Sequence, residues 1–543
     1  MSALQAETEL VGLARAEEAR GDADHQRDRP AEALAHYTEA FCLCPVDPSI
    51  ALKFHRTLVS SNELGLGETR LRVACRSYPH DRRLRFLLIE ILLRREKFDS
   101  AISEIESAMA EYGVDDGILA AALSVRSKLG PLVGTNPRTV TLCMIVKDEA
   151  DHLARCLRSA KPIVDEIVVV DTGSRDRSAD IARAFGARVY EHRWRDDFSE
   201  ARNASISKAS GDWILVLDGD EVVSAQDYGR FREIVAGPPT SAFTVRTRNY
   251  TSELNTVGWR PNTGEYAEQE AGAGWFPSEK VRVFPRTPGV AFRHPVHELV
   301  EHSLREAGIP IQACELQVHH YGPLQAEQAL RKTRTYSELE RRKLQESADR
   351  PASLREAAIQ AARMGRHADS VDLWGRFLKN HPDSPEAYVN LGAACLQLGR
   401  YDEAVRCAES ALRCAPALRE AHVNLALAAL HRGDAARAVA VLEPLLTRDP
   451  DYLHARFLLA AAYGCGGEPA KSAAALRPLR TGTLGPVLPV SFRELARSLT
   501  AAGQEDHARS LLRIASIYET VMQVPSDVAD GDSGPIATDA PSM

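Results

Sequence analysis

Glycine returns every 34 residues in the last third of this chain, at Gly365, Gly399, Gly433 and Gly467. Pro382, Pro416 and Pro450 keep the same interval, as do Ala387, Ala421 and Ala455. Small residues keep it too, at Ser370, Ala404, Ala438 and Ser472. A unit of this length cannot bury its own apolar face, so it must stack on its neighbours. In "PEAYVNLGAACLQLGRYDEAVRCAESALRCAP" the apolar residues fall at helical spacing in two blocks. Glycine closes the first block and proline the second, as at helix ends. The period therefore predicts stacked helical hairpins, four of them over about 353–480. The small residues allow close helix contact. "PVSFRELARSLTAAGQEDHARSLLRIASIYETV" reads as one more hairpin or a cap.

A 34-residue helical unit of this pattern resembles the tetratricopeptide repeat. The front of the chain carries a weaker copy. Pro45 and Pro79 are one period apart, and so are Ala33, Gly67 and Ala101. A helical domain is expected over 1–132, followed by the linker "LGPLVGTNPRTV", whose Gly and Pro break the helical pattern. A second helical domain is expected over 336–520. The remainder, 521–543, is polar, acidic and rich in Pro and Gly, the composition of a disordered tail. A net charge of −8 over 543 residues argues against nucleic acid as the main partner. The ten cysteines form no CxxC pair, which fits reduced thiols. There is no charged n-region followed by an apolar stretch, and no run of the ~20 apolar residues that a membrane helix needs. A cytoplasmic protein without a membrane span is expected.

Residues 138–335 do not repeat. "TVTLCMIVK", "VDEIVVVDTGS", "RVYEHRW" and "DWILVLDGDE" read as strands, with helical stretches between them. That alternation predicts a parallel sheet with helices on both faces. Ligands bind such sheets beyond the carboxyl ends of the strands. Asp171, Asp218 and Asp220 stand at such ends. Two carboxylates one residue apart can share Mg2+ or Mn2+, hard cations that take oxygen ligands. The blander alternative is a polar strand exit that caps the next helix.

Four ordered blocks now point to a family: "CMIVKDEADHLARCLRSA", "VDEIVVVDTGSRDRSADIARAFGARV", "WRDDFSEARNASISKASGDWILVLDGDE" and "HHYG". Together they resemble family 2 glycosyltransferases of the GT-A fold, in the bacterial branch joined to tetratricopeptide repeats, which includes peptide S-glycosyltransferases. The resemblance implies a multidomain chain: a Rossmann-like α/β nucleotide-sugar transferase domain flanked by all-α solenoid repeats. It also implies site residues. Asp218 and Asp220 match the DxD around Gly219, with Asp220 the preferred direct metal ligand and His320 of "HHYG" completing the metal shell. Asp171 matches the acid that contacts the nucleoside. Val146, Lys147 and Glu149 line the nucleotide pocket, and Arg202 and Asn203 match the helix start that faces the nucleotide. Asp148 stands where relatives usually have Asn, and Pro323 where an aromatic residue is common.

The implied reaction is metal-dependent and inverting. The metal neutralises charge on the leaving diphosphate while an acceptor attacks the anomeric carbon. Glu298, next to His297 in "HPVHELVEH", is the candidate general base. The implied donor is a UDP-sugar, and the implied acceptor a peptide or protein side chain (Ser, Thr or Cys) held by the repeats, which offer a route to a homodimer as well. A glycan or lipid-linked acceptor is the alternative, and so is an interaction scaffold around an inactive transferase domain. Trp259 and Trp275 lie in an irregular stretch that reads as an acceptor loop or lid. "ILVLDGDEVV" also fits a haloacid-dehalogenase phosphatase, but that motif normally opens its domain, and here three strands precede it. A sugar nucleotidyltransferase would need a Gly-rich loop after the first strand, and "VKDEADHL" has none.

Overall fold

The computed structural model describes residues 3–134, 136–251, 259–294, 298–324, 351–363, 365–479 and 488–522. Two compact units emerge: Met1–Thr247 with Glu279–His319, and Arg248–Ser278 with His320–Met543.

The first unit opens with seven helices: α1 (Ala3–Gln26), α2 (Pro30–Leu43), α3 (Pro48–Ser60), α4 (Leu64–Ser77), α5 (Arg82–Arg94), α6 (Phe98–Tyr112) and α7 (Asp116–Leu129). Asp47, Asp81 and Asp115, one period apart, cap α3, α5 and α7 through their side chains. Each satisfies backbone N–H groups that the first turn leaves open. Gly67 marks a close helix approach, since a Cβ there would lie 2.9 Å from Leu58 Cδ1. The hairpin turns use Asp28, Asn62 and Glu96 in the left-handed region, with φ of 56°, 58° and 55°.

Phe41, Phe54, Leu58, Leu88 and Ile91 form a buried cluster within α2–α5, but α6 and α7 pack chiefly elsewhere. Ile102, Ile105, Met109, Ile118 and Val125 share one buried cluster with Val140, Leu142, Leu153 and Ile167. Glu106 of α6 accepts from Arg126 at 2.8 Å and from Lys161 at 2.5 and 2.6 Å. The boundary drawn at 132 in the sequence thus marks a change of secondary structure, not of core.

The sheet contains β1 (Val140–Val146), β2 (Glu166–Asp171), β3 (Arg188–Glu191), β4 (Trp213–Val216), β5 (Glu221–Val223), β6 (Ala242–Thr251), β7 (Arg260–Pro261), β8 (Gly274–Pro285) and β9 (Ile311–His320). Helices α8 (Ala150–Ala160), α9 (Ser178–Ala184) and α10 (Phe198–Lys208) connect the first four strands, and α11 (Tyr228–Ala236) and α12 (Glu301–Glu306) follow later. The strand order is β3-β2-β1-β4-β8-β6-β9-β5, with β7 on β8. The first four strands run parallel, with Val146 opposite Asp171 and Cys143 opposite Val216. β8 then pairs antiparallel to β4, Phe284 opposite Ile214. The four strands read in the sequence are parallel as expected, and the later antiparallel strands make the whole sheet mixed. Antiparallel neighbours need no helical crossover, so the alternation read in the sequence loses its regularity after β4, where only some strands are followed by a helix. The chain leaves β1 for β2 and β3 on one side, then crosses back to β4 on the other. The carboxyl ends of β1 and β4 flank this switch point, where open α/β sheets bind ligands.

Among the described residues the second unit contains five helical hairpins: Pro351–Arg363 with His367–Asn380, Pro385–Gln397 with Tyr401–Cys414, Arg419–His431 with Ala435–Arg448, Leu453–Cys465 with Pro469–Leu476, and Leu488–Ala501 with Glu505–Met522. The periodic glycines sit at the turns inside the first four hairpins, with φ between 69° and 79° from Gly365 to Gly467. The periodic small residues are buried in helix contacts. The Ser370 and Ser472 hydroxyls donate to the Ala358 and Ala460 carbonyls, each at 2.8 Å. Trp259 and Ala273 share a buried cluster with Val423, Leu430 and Phe457. Trp259 and Trp275 are each only 6% exposed. The guanidinium groups of Arg248 and Arg260 lie 4.5 and 5.4 Å from the Trp275 ring centre. These rings are core, not open platforms for a sugar. Among the described residues no helix is long and apolar enough to cross a membrane, and no cysteine is in a disulfide. Of the predicted tail, residues 523–543 lie outside the described residues.

Candidate active site

The loops after β1 and β2 are stitched to each other. Asp148 takes a left-handed φ of 54° at the exit of β1, a conformation that Asp and Asn adopt more readily than other residues. Its N–H donates to Ser174 Oγ at 3.1 Å, and its Oδ1 accepts the Arg175 N–H at 2.7 Å. The Glu149 N–H donates to Ser178 Oγ at 2.8 Å. Asp171 Oδ1 accepts the N–H groups of Gly173 and Ser174 at 2.9 and 2.8 Å. Val146 is buried beside Asp171, and Lys147 is exposed. Gly219 fits because it has no side chain. A Cβ there would stand 3.1 Å from Cβ and Cγ of Glu149, so the turn after β4 lies against the loop after β1.

That turn is held by the third acid of its run. The Asp218 N–H donates to Glu221 Oε2 at 2.8 Å, and the Glu221 N–H donates back to the Asp218 carbonyl at 3.1 Å. Glu221 is 1% exposed, and Arg282, 2% exposed, donates to both its oxygens. Burial would raise the Asp218 carboxyl, but Arg202, Lys280 and Arg282 outweigh it and hold the group well below the usual carboxylate range. Cys156 lies under this cluster and donates to the Asp218 carbonyl at 3.3 Å. Burial first, then the charges of Glu221, Asp220, Asp218 and Glu149, push its thiol well up, so Cys156 is an inert neutral thiol. Asp220 is buried.

Arg202 of α10 joins two candidate residues. Its Nη2 donates to Asp218 Oδ1 at 2.7 Å and its Nε donates to Glu298 Oε1 at 2.6 Å. Burial works against its charge, but Asp218 and Glu298 outweigh that and hold the guanidinium protonated. Asn203 accepts the Phe292 N–H at 2.8 Å and donates to the Phe292 carbonyl at 2.9 Å. Both polar groups of its side chain are thus spent on backbone. His297 lies outside the described residues. His320 belongs to the second unit, where Asn249 Nδ2 donates to the Phe276 carbonyl at 3.1 Å. Asn249 Oδ1 lies 2.7 Å from His320 Nδ1.

The first unit therefore brings together Val146, Glu149, Asp171, Arg202, Asp218, Gly219 and Glu298 around one switch point. Among the described residues no three His, Cys, Asp or Glu side chains converge to hold a metal ion unaided. Both carboxylate oxygens of Glu221 accept from Arg282, and Oδ1 of Asp218 accepts from Arg202. The carboxylate oxygens still suit a hard cation that takes one or two protein ligands and completes its shell with water and phosphate oxygens. Sequence reasoning missed Glu221 as the clamp of the turn and Arg282 as its partner. The available signal was Arg282 itself, a lone charge in the apolar run "VRVFP".

Residues 141–304 match the glycosyl transferase family 2 model, and residues 355–419 and 419–444 match tetratricopeptide repeat models. A TPR repeat-containing protein of Synechococcus elongatus is 42% identical over 173 residues, 32% of this chain and 38% of that protein. The SPbeta prophage-derived glycosyltransferase SunS of Bacillus subtilis is 30% identical over 114 residues, 21% of this chain and 27% of that protein. An uncharacterized glycosyltransferase of Rickettsia felis is 38% identical over 87 residues, 16% of this chain and 30% of that protein. The matched stretches thus span well under half of each of these relatives.

Proposed function

We propose that this chain, which joins a family 2 glycosyltransferase domain to tetratricopeptide repeats, is a metal-dependent inverting glycosyltransferase. It moves a sugar from a nucleotide-sugar donor, UDP-linked in our reading, to a peptide or protein side chain. The observation that carries this is the meeting of the 171, 149 and 218–220 acids at the β1/β4 switch point, inside the stretch that matches the family 2 model.

Asp171, Val146, Lys147 and Glu149 are assigned to the nucleoside side of the donor. Asp220 and Asp218 would hold Mg2+ or Mn2+, which, when bound, supplies charge neutralisation at the leaving diphosphate. The assignment of His320 to that cation rests on the family resemblance alone. Glu298 takes the acceptor proton. General-base help of this kind is typically worth about 10²–10⁴-fold in rate. A cysteine acceptor would need it less, because a thiol is already partly ionised near neutral pH. The repeats offer an extended surface for a peptide acceptor.

Calorimetric titration of UDP with and without Mn2+, on wild type and Asp220→Ala, tests the reading. The expected result is binding that needs the metal in wild type and is lost in the variant. Folded wild-type protein that binds neither UDP nor GDP with metal present would sink it.

A further inference from the structure

We infer that Arg202 and Asn203 are positioning residues for Glu298: they dock the segment that carries the candidate base and fix its carboxylate relative to Asp218. The inference deepens the transferase reading and rests on it. Two neighbouring side chains of α10 reach the same short segment. Asn203 pairs with the Phe292 backbone through both its amide groups, at 2.8 and 2.9 Å, as a neighbouring strand would. Directly after Phe292, Arg293 and Leu299 exchange both backbone hydrogen bonds, at 3.0 and 3.1 Å, and so close the loop that ends in Glu298. Arg202 then bridges Glu298 Oε1 and Asp218 Oδ1.

The choice of residue types follows from this task. The guanidinium is planar, permanently charged and offers several N–H groups in fixed directions. It can therefore set the spacing of two carboxylates, where a lysine would hold them as a loose point charge. The Arg202 side chain is only 9% exposed, so salt screens the bridge weakly. With Oε1 held by Arg202, Oε2 is the oxygen that takes the acceptor's proton. In that step the acceptor O or S bonds the anomeric carbon, and the bond from that carbon to the phosphate oxygen breaks. The electron pair leaves with the nucleoside diphosphate, and the proton passes to Glu298.

Hydrogen exchange on the ligand-free full chain tests the docking without any assay of transfer. In Asn203→Ala and Arg202→Ala, the peptide containing Phe292, Arg293 and Leu299 should exchange about tenfold faster than in wild type, roughly the loss of one modest hydrogen bond or ion pair. The loop after β2 should keep its wild-type rate. Unchanged exchange at 292–299 overturns the inference, whatever transfer assays give. If Arg202→Ala does not fold, Arg202→Lys and Asn203→Ala carry the test. Kinetics then separate positioning from nucleotide contact. Arg202→Lys should keep UDP affinity, lower kcat about 10²-fold, and add no further loss on a Glu298→Gln background. Weakened UDP binding with kcat retained would put Arg202 on the nucleotide and overturn the inference. Wild-type protein that neither binds UDP nor transfers sugar would sink the proposed function alone, because the exchange result still decides the docking.

Discussion

At the scale of single residues, the acid run "LDGDE" divides its labour. Asp218 is tied to Arg202, and Glu221 is buried against Arg282 and braces the turn from below. A buried ion pair contributes little net stability when intact, but loss of one partner strands the other charge. Arg282→Met should therefore cost about 3–5 kcal/mol in urea denaturation, far more than a surface arginine, whose loss changes stability by roughly 0.5 kcal/mol or less. Combining it with Glu221→Gln should return part of that loss, and a double variant no more stable than Arg282→Met would remove Glu221 as the reason. These roles show how far the site was legible. The acids stood out because charge directly after an apolar strand is rare. Which acid faces a ligand and which braces the turn depends on Arg202 and Arg282, distant in sequence and placed only by the sheet. Asp148 is a similar case. Its position reads as a departure from the family, yet its Oδ1 serves a loop contact that an Asn oxygen could also make.

At the scale of elements, one slot explains why the back repeats were plain in the sequence and the front ones faint. The turn inside each hairpin takes a left-handed residue. Glycine marks that slot from Gly365 to Gly467, while Asp28, Asn62 and Glu96 fill it in front. The geometry repeats where the letter does not. A left-handed conformation costs an ordinary residue about 1–2 kcal/mol. Glu96→Gly should raise stability by about 1 kcal/mol, and Gly399→Ala should lower it by about as much, read from thermal or urea midpoints. Equal and opposite effects at the two sites would show one slot, and a destabilised Glu96→Gly would refute it. The strands after β4 were less legible, because they pair antiparallel without a regular helical crossover between them. The helix Leu453–Cys465 adds a pH-dependent element. Burial lowers the His454 pKa to about 4 from an ordinary 6.5. Between those values the unfolded chain binds the proton and the folded chain does not. Stability is fully present above pH 6.5, falls as pH drops through that window, and is reduced by about 3 kcal/mol once pH passes below 4. His454→Gln should flatten this fall in urea titrations across the same window.

At the scale of the whole molecule, the sequence divides the chain into repeat, transferase and repeat, but the packing does not respect those borders. The N-terminal helices lend Ile102, Ile105, Met109, Ile118 and Val125 to the cluster that also buries β1, β2 and α8. A buried side chain of this size is worth about 1.5–3 kcal/mol, so the five together contribute roughly 10 kcal/mol. Half of that already rivals the total stability of a typical domain, about 5–15 kcal/mol. Within the second unit, Trp259 and Ala273, numbered inside the transferase stretch, are buried with the repeat residues Val423 and Phe457. A fragment cut at 138–335 would thus lose apolar partners at both ends. It should be recovered aggregated, or without a cooperative melting transition by circular dichroism, while the full chain melts cooperatively. A monomeric, cooperatively folding 138–335 fragment would show instead that the repeats are dispensable attachments. Because the repeats share buried clusters with the rest of the chain, their acceptor role is tested by substitution and not by deletion. Deleting the repeats would remove packing together with any binding surface, so loss of transfer in a truncated chain could not be assigned to either. Charge-reversing substitutions at exposed repeat arginines, such as Arg406 and Arg413, leave the buried clusters intact. If the repeats hold the acceptor through this face, those variants should raise KM for a peptide acceptor and leave UDP affinity and the melting midpoint unchanged.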